Sequence, residues 1–239
     1  MKAAAVLIAV FAAGNAAHAA APALKPFTAT YEVSYRGMHA GALIFRLERD
    51  ATSARYTYET HANPGLLARL VVSPAAVERS VFEVDAGGVR PLEWRLDDGK
   101  SGELADGALH FDWSRGAVTG RIRGKDVRLP TQPNVQDRLS IQMAVTTALL
   151  RGQEPGALSL IDDHQIKRYT YTRKGEAKIE SRLGPVDTLI YESTREGSSR
   201  LSRFWLAPRF DYAAVRAEQI RKGKVETVME LVRWERTGD

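Results

Sequence analysis

Alternation with a period of two constrains this chain more than any other feature of its sequence. Phe27, Ala29, Tyr31, Val33 and Tyr35 alternate with Thr28, Thr30, Glu32, Ser34 and Arg36. Successive side chains of a strand point to opposite faces, so this pattern describes a strand with one buried face. After a turn over residues 37–41, the rhythm returns at 42–49, 55–61, 77–84, 90–96, 108–113 and 118–123. Asp85-Ala86-Gly87-Gly88, Asp97-Asp98-Gly99, Asp106-Gly107 and Arg115-Gly116 punctuate these runs. Such Asp/Gly clusters supply the positive φ angles of tight hairpins. Turn signals spaced roughly 8–12 residues apart indicate antiparallel β-structure rather than βαβ units.

The second half repeats the pattern, with strands expected at 157–161, 165–173, 177–183, 186–195, 200–206, 212–220 and 225–235. Lys174-Gly175, Gly184-Pro185, Glu196-Gly197, Ala207-Pro208 and Lys222-Gly223-Lys224 read as the turns between them. Two segments break the rhythm. Asn63-Pro64-Gly65 is a turn, followed by the apolar run Leu66 to Val72, which reads as a buried strand or short helix, or as a flap over a cavity. The other break is a helix over about 134–151. Asn134 is its expected cap, and Asp137 suits the positive end of the dipole. Val135, Leu139, Met143, Thr146 and Leu150 recur at helical spacing, and Arg151-Gly152 closes the segment. Ile141, Val145 and Leu149 widen its apolar face, so the helix is largely buried. The expected fold is mainly β: a large curved antiparallel sheet or open β-barrel wrapped around one central amphipathic helix. A lone helix between two sets of strands buries its apolar face most easily inside their curve, as a single domain over 27–236.

The N-terminus reads as an address. Met1-Lys2 is a positive start, an apolar run follows over 3–13, and Ala17-His18-Ala19 offers a signal-peptidase site. The expectation is a signal peptide over 1–19, cleaved near Ala19, then an Ala/Pro lead-in over 20–26. The run is too short for a transmembrane helix, which needs roughly 20 apolar residues, and no later segment is long and apolar enough. The chain has no cysteine. That excludes disulfides, thiolate catalysis, Cys-ligated metals and a lipid-anchored N-terminal Cys. Export without a lipid anchor places the mature chain in the periplasm of a Gram-negative bacterium, held together by its core alone.

Chemistry is sparse. Gly120-Arg121-Ile122-Arg123-Gly124-Lys125 is one residue short of a phosphate loop, with Asp126 where Ser or Thr should follow, and reads as a basic strand and turn. There is no G-x-S-x-G elbow and no H-E-x-x-H. Asp162-Asp163-His164 is the densest polar cluster, but adjacent residues on an extended chain point to opposite faces, so it reads as a turn rather than a metal site. Asp97-Asp98-Gly99-Lys100 is likewise a hairpin turn. No catalytic, cofactor-binding or metal-binding residue is assigned, and no cofactor is expected. The net charge is +5, falling to +4 without Lys2. Its local clusters, Arg121/Arg123/Lys125/Arg128 and Arg221/Lys222/Lys224, read as solvated faces, with anionic lipid headgroups a better counterpart than nucleic acid.

Several stretches together resemble a known family. They are the Tyr31-Glu32-Val33 strand with its Gly41-Ala42 return, Asp137-Arg138-Leu139-Ser140, Gly184-Pro185-Val186-Asp187-Thr188, and Phe204-Trp205-Leu206-Ala207-Pro208. In order and spacing they are similar to the proteobacterial exported family known as domain of unknown function 3108, over roughly 27–235. The resemblance implies an antiparallel β-rich domain in the cell envelope and brings no catalytic residues. In broad plan the chain is also similar to periplasmic lipoprotein carriers, whose curved sheet holds acyl chains. The expected function is a non-enzymatic binding or structural protein of the envelope, with an apolar or lipid ligand or an envelope protein as partner. The alternative is a hydrolase-like enzyme acting on an envelope lipid or polymer. The oligomeric state is left open.

Overall fold

The computed structural model describes residues 24–65, 68, 73–100 and 106–237. The expected signal segment over 1–19 and nearly all of the Leu66 to Val72 run lie outside these residues. The strands are β1 Phe27–Tyr35, β2 Met38–Arg49, β3 Arg55–Pro64, β4 Val77–Asp85, β5 Gly88–Asp97, β6 Gly107–Asp112, β7 Ala117–Ile122 and β8 Lys125–Pro130. Then come β9 Val135–Gln136, the helix α1 Ser140–Leu150, and β10 Ala157–Asp162, β11 Gln165–Ser181, β12 Gly184–Thr194, β13 Arg200–Ala207, β14 Ala213–Arg221 and β15 Lys224–Arg236. All fifteen strands form one sheet, ordered β8 to β1, then β15 down to β9. Every neighbouring pair is antiparallel except the short parallel pair β9–β10.

The expected mainly-β architecture around one helix is what the chain adopts, as an open curved sheet. Its first and last long strands meet at the centre, where Tyr31 pairs with Leu231. The edges are β8 and β9, which are consecutive in sequence. The link over 131–134 reaches at most about 3.5 Å per residue, so the sheet must curl until its edges approach. They meet through side chains. Gln136 donates to the Val89 carbonyl at 2.9 Å, Arg123 pairs with Asp163 at 3.2 Å, and a His164 ring nitrogen lies 3.1 Å from the Ile122 carbonyl. Val135 and Ile161 complete an apolar cluster with Trp94, Phe111, Val118 and Ile122.

Four local readings are corrected. The first concerns the start of the helix: Asn134 is not the cap, because its φ is +59° and Val135–Gln136 pair with β10. Val135 satisfies a strand contact as well as it fits a helical stripe. Lys174-Gly175 is not a turn. β11 runs unbroken through it, with a bulge where Gly175 takes φ +147°; a glycine serves a bulge as well as a turn. β3 continues through Asn63 and Pro64, paired with Ala42 and Gly41. The first turn is only Arg36-Gly37, both at positive φ, the geometry of a tight hairpin. Gly41 instead lies inside β2, where an added Cβ would sit 2.5 Å from the Asn63 carbonyl.

The helix C-terminus follows the sequence reading. Gly152 has φ +69°, and the Gln153 amide returns to the Ala148 carbonyl at 2.9 Å, the wide bond of a glycine-closed helix end. Arg151 then donates to the Asp85 and Ala86 carbonyls and pins this end to the β4–β5 turn.

Candidate functional site

The start of α1 is tied to the sheet by a buried polar network. Asp137, not Asn134, caps the helix. Its carbonyl accepts the Ile141 amide at 3.2 Å, and its Oδ1 accepts the Leu139 and Ser140 amides at 2.8 Å each. Ser140 Oγ accepts the Asp137 amide at 2.9 Å, a reciprocal capping box. The other carboxylate oxygen accepts the Ser80 hydroxyl of β4 at 2.7 Å. Burial pushes the Asp137 carboxyl up to about 6, against the pull of these bonds. Beside it, Glu78 accepts from Trp94 Nε1 at 2.8 Å and pairs with Arg138 at 3.1 Å. The Asp137-Arg138-Leu139-Ser140 stretch is therefore an anchor that sets where the helix enters the concave face.

Below that anchor, α1 leaves the concavity partly empty. A cavity of about 490 Å³ lies between the helix and β1–β3 and β10–β15. Its walls are aromatic, with Phe27, Phe45, Tyr58, Phe204 and Trp234 among them, and the helix contributes Ile141 and Val145. β14 opens the space because Ala213, Ala214 and Ala217 stand where larger side chains would fill it. Lining residues run from Ala213 to Gln219 along β14, about 20 Å at the rise of a strand. At one end a cross-strand row of neutral polar side chains, Ser193, Ser202, Gln219 and Thr227, borders it. Arg138, Gln142 and Gln219 are its exposed lining residues, so the mouth lies at this end.

The interior is dry enough to act on phenols. Burial raises Tyr31 and Tyr58 well above the ordinary tyrosine value and Tyr171 to about 12. Tyr58 donates to Gln142 Oε1 at 3.3 Å. The charged lining groups are all paired within the chain. Arg138 holds Glu78, Asp162 accepts Lys167 at 2.6 Å, Asp211 accepts Arg236, and Glu218 accepts Arg216 at 2.8 Å.

The acidic clusters singled out in the sequence do not gather into a site. Asp162, Asp163 and His164 turn to Lys167, Arg123 and the Ile122 carbonyl. The carboxylates of Asp97, Asp98 and Asp106 lie within 4.8 Å of one another. They accept the amides of Gly99, Lys100 and Asp98, which is turn chemistry. Sequence reasoning missed the cavity. Its one signal is the concentration of alanine in the β14 sequence AAVRA, where a core strand would carry larger residues.

A family described as "Protein of unknown function (DUF3108)" matches residues 30–230. The chain belongs to that family, as its motifs suggested. No curated protein matches it. Among solved structures it is similar to an uncharacterized conserved protein from Thermus thermophilus, at 10% identity, covering 89% of this chain and 79% of that one with a TM-score of 0.37. It is also similar to a protein described as exported, with a YmcC-like fold, from Bacteroides fragilis. There the identity is 10%, the coverage 90% and 98%, and the TM-score 0.36. At these scores and identities the likeness carries nothing about function. No helix among the described residues is long and apolar enough to cross a membrane.

Proposed function

We propose that this chain is a non-catalytic envelope protein, exported to the periplasm after cleavage near Ala19, that holds an amphiphile in the cavity. The unfilled aromatic cavity of about 490 Å³ carries this reading, since pockets for small ligands span roughly 300–1,000 Å³. A core this large and apolar is normally packed to crystal density, and an empty apolar volume forfeits those contacts. Its length along β14 suits a single hydrocarbon chain. The pairing of Arg138, Asp162, Asp211 and Glu218 leaves no counter-charge for an ionic head, so the head is uncharged and hydrogen-bonds to the Ser193–Thr227 row. A hydrolase reading would need two titratable groups free to converge on the bound molecule, and the cavity carboxylates are each held by a cation.

Two measurements test this. Native mass spectrometry of protein purified from its own periplasm is expected to show a lipid-sized adduct. In a displacement assay with a fluorescent long-chain probe, a monoacylglycerol is expected to compete at least ~10-fold better than the fatty acid of equal chain length, because an unpaired charge is costly to bury. Ala217→Trp, placed between Phe204 and Met229 in the sheet, is expected to abolish probe binding while the melting temperature stays near that of the parent. Probe binding that survives Ala217→Trp would place the ligand elsewhere.

A further inference from the structure

We infer that the rim around the cavity mouth is a docking surface for an anionic lipid bilayer. The inference rests on what gathers at neighbouring strand ends and does not require the cavity to be loaded. The three exposed large hydrophobic residues among those described are Tyr35, Met38 and Val225, the most exposed being Met38 at 61%. They share one end of the sheet. Tyr35 pairs with Met38 across β1–β2 and with Thr227 of the mouth across β1–β15, and Val225 is two residues from Thr227.

The same end is basic. Arg200 pairs with Arg221 across β13–β14, and Arg221 pairs with Lys224 across β14–β15, so three cations stand in one cross-strand row. Lys222 joins them, its backbone N–H donating to the Ser199 carbonyl at 3.1 Å. None of these four has an ion-pair partner among the described residues, whereas Arg36 at the adjacent tip is held by Glu226. Like charges side by side on neighbouring strands are destabilising, and among the described residues no carboxylate pairs with this row, Glu226 being held by Arg36. Strand tips from β2 to β12 are contiguous in the sheet, so the rim spans about 25 Å at the usual strand spacing.

Unpaired cations flanking exposed apolar side chains match the chemistry of an anionic membrane surface. The cations meet lipid phosphates, and the apolar side chains enter the interface. A protein partner would need acidic groups to answer the same row, but it gives no reason for the apolar tips to stand at the same end of the sheet as the mouth of a greasy cavity. The bilayer reading gives one: it sets the mouth against the source or destination of an amphiphile.

Vesicle co-sedimentation tests the assignment. The full mature chain is expected to bind vesicles of phosphatidylglycerol and phosphatidylethanolamine in equal parts, and to bind phosphatidylcholine vesicles at least ~10-fold more weakly. Binding should fall steeply between about 0.1 M and 1 M salt, as the screening length shrinks from about 10 Å to 3 Å. Combining R221E, K222E and K224E should weaken binding at least ~10-fold. The matched control K25E, R49E and R209E, three exposed cations at the opposite end of the sheet, should stay within about twofold, since charges beyond a screening length do not reach the surface. Y35S with M38S should weaken binding without changing its salt dependence. Equal loss in both triple variants would assign the effect to net charge and overturn the docking surface. So would no vesicle binding by the parent, or equal binding to phosphatidylcholine. Melting curves of each variant separate lost binding from lost fold. Failure here with a lipid adduct still present leaves the cavity reading standing, and failure of the probe assay alone leaves the rim standing.

Discussion

At the residue scale, Asp137 is the group whose environment departs furthest from its sequence context. It is buried, and burial raises its carboxyl from 3.8 to about 6, so it is held neutral further up the pH scale than an exposed aspartate. The folded state therefore binds a proton more readily than the unfolded chain between these values. The sign follows from linkage. The contribution of this group to stability rises as pH falls from about 7 towards 4, and above 6 the buried charge costs on the order of 2–3 kcal/mol. In Asp137→Asn the amide oxygen still caps the helix, while the titration is gone. Urea unfolding at pH 4.5, 5.5 and 7.5 is expected to show the parent gaining on the variant as pH falls. A difference that does not change with pH would falsify the raised carboxyl. Asp137→Ala removes the cap and strands the Ser80 hydroxyl, an expected loss of about 1–3 kcal/mol at pH 7.5 that grows as pH falls, because the titration is gone there too. The sequence pointed to Asp137 as an acid of the first turn but gave the cap to Asn134. Both residues are good caps, and only the pairing of Val135 with Ser159 decides between them.

At the element scale, period and punctuation were legible and register was not. Alternation located most strands within a residue or two, because the pleat sends every second side chain to the core. What it could not tell is whether a glycine turns the chain or merely bends it. Gly175 and Gly41 both sit in long strands at positive φ, for different reasons. Nothing lies within 4 Å of a Cβ added at Gly175, so only its φ of +147° resists substitution. A Cβ at Gly41 would meet the Asn63 carbonyl and the Gly65 amide at 2.5 and 2.6 Å, all backbone, which cannot move aside. Gly175→Ala is expected to cost about 1 kcal/mol, and Gly41→Ala about 3 kcal/mol, with strain added to a backbone clash. Chemical denaturation with unchanged m-values checks both, and a reversed order would show that β2 and β3 separate easily at their shared end.

At the scale of the whole molecule, the sheet stays open, and side chains rather than a ladder bridge its two flanks. The helix within it, the family and the β-rich class could be read from sequence. The seam and the cavity could not, because curvature is set jointly by twist, bulges and a short link between edges that are far apart in strand order. The central seam β1–β15 is fastened by nine paired residues, whereas β9 joins β10 through two. The molecule is therefore expected to open first where β5 to β8 meet β9 and β10. Ile161 is the side chain that makes this testable, since it is 2% exposed and joins the apolar cluster of β5 to β8 from the opposite edge. Ile161→Ala is expected to cost about 2–4 kcal/mol. Hydrogen exchange should rise in β7 to β10 while β1 and β15 keep their protection. Such a pattern means that the seam opens as a local unit, exposing one flank of the cavity without unzipping the centre that holds its aromatic wall. Uniform acceleration across the sheet would instead mean that the seam and the centre unfold together, leaving the mouth as the route for a ligand.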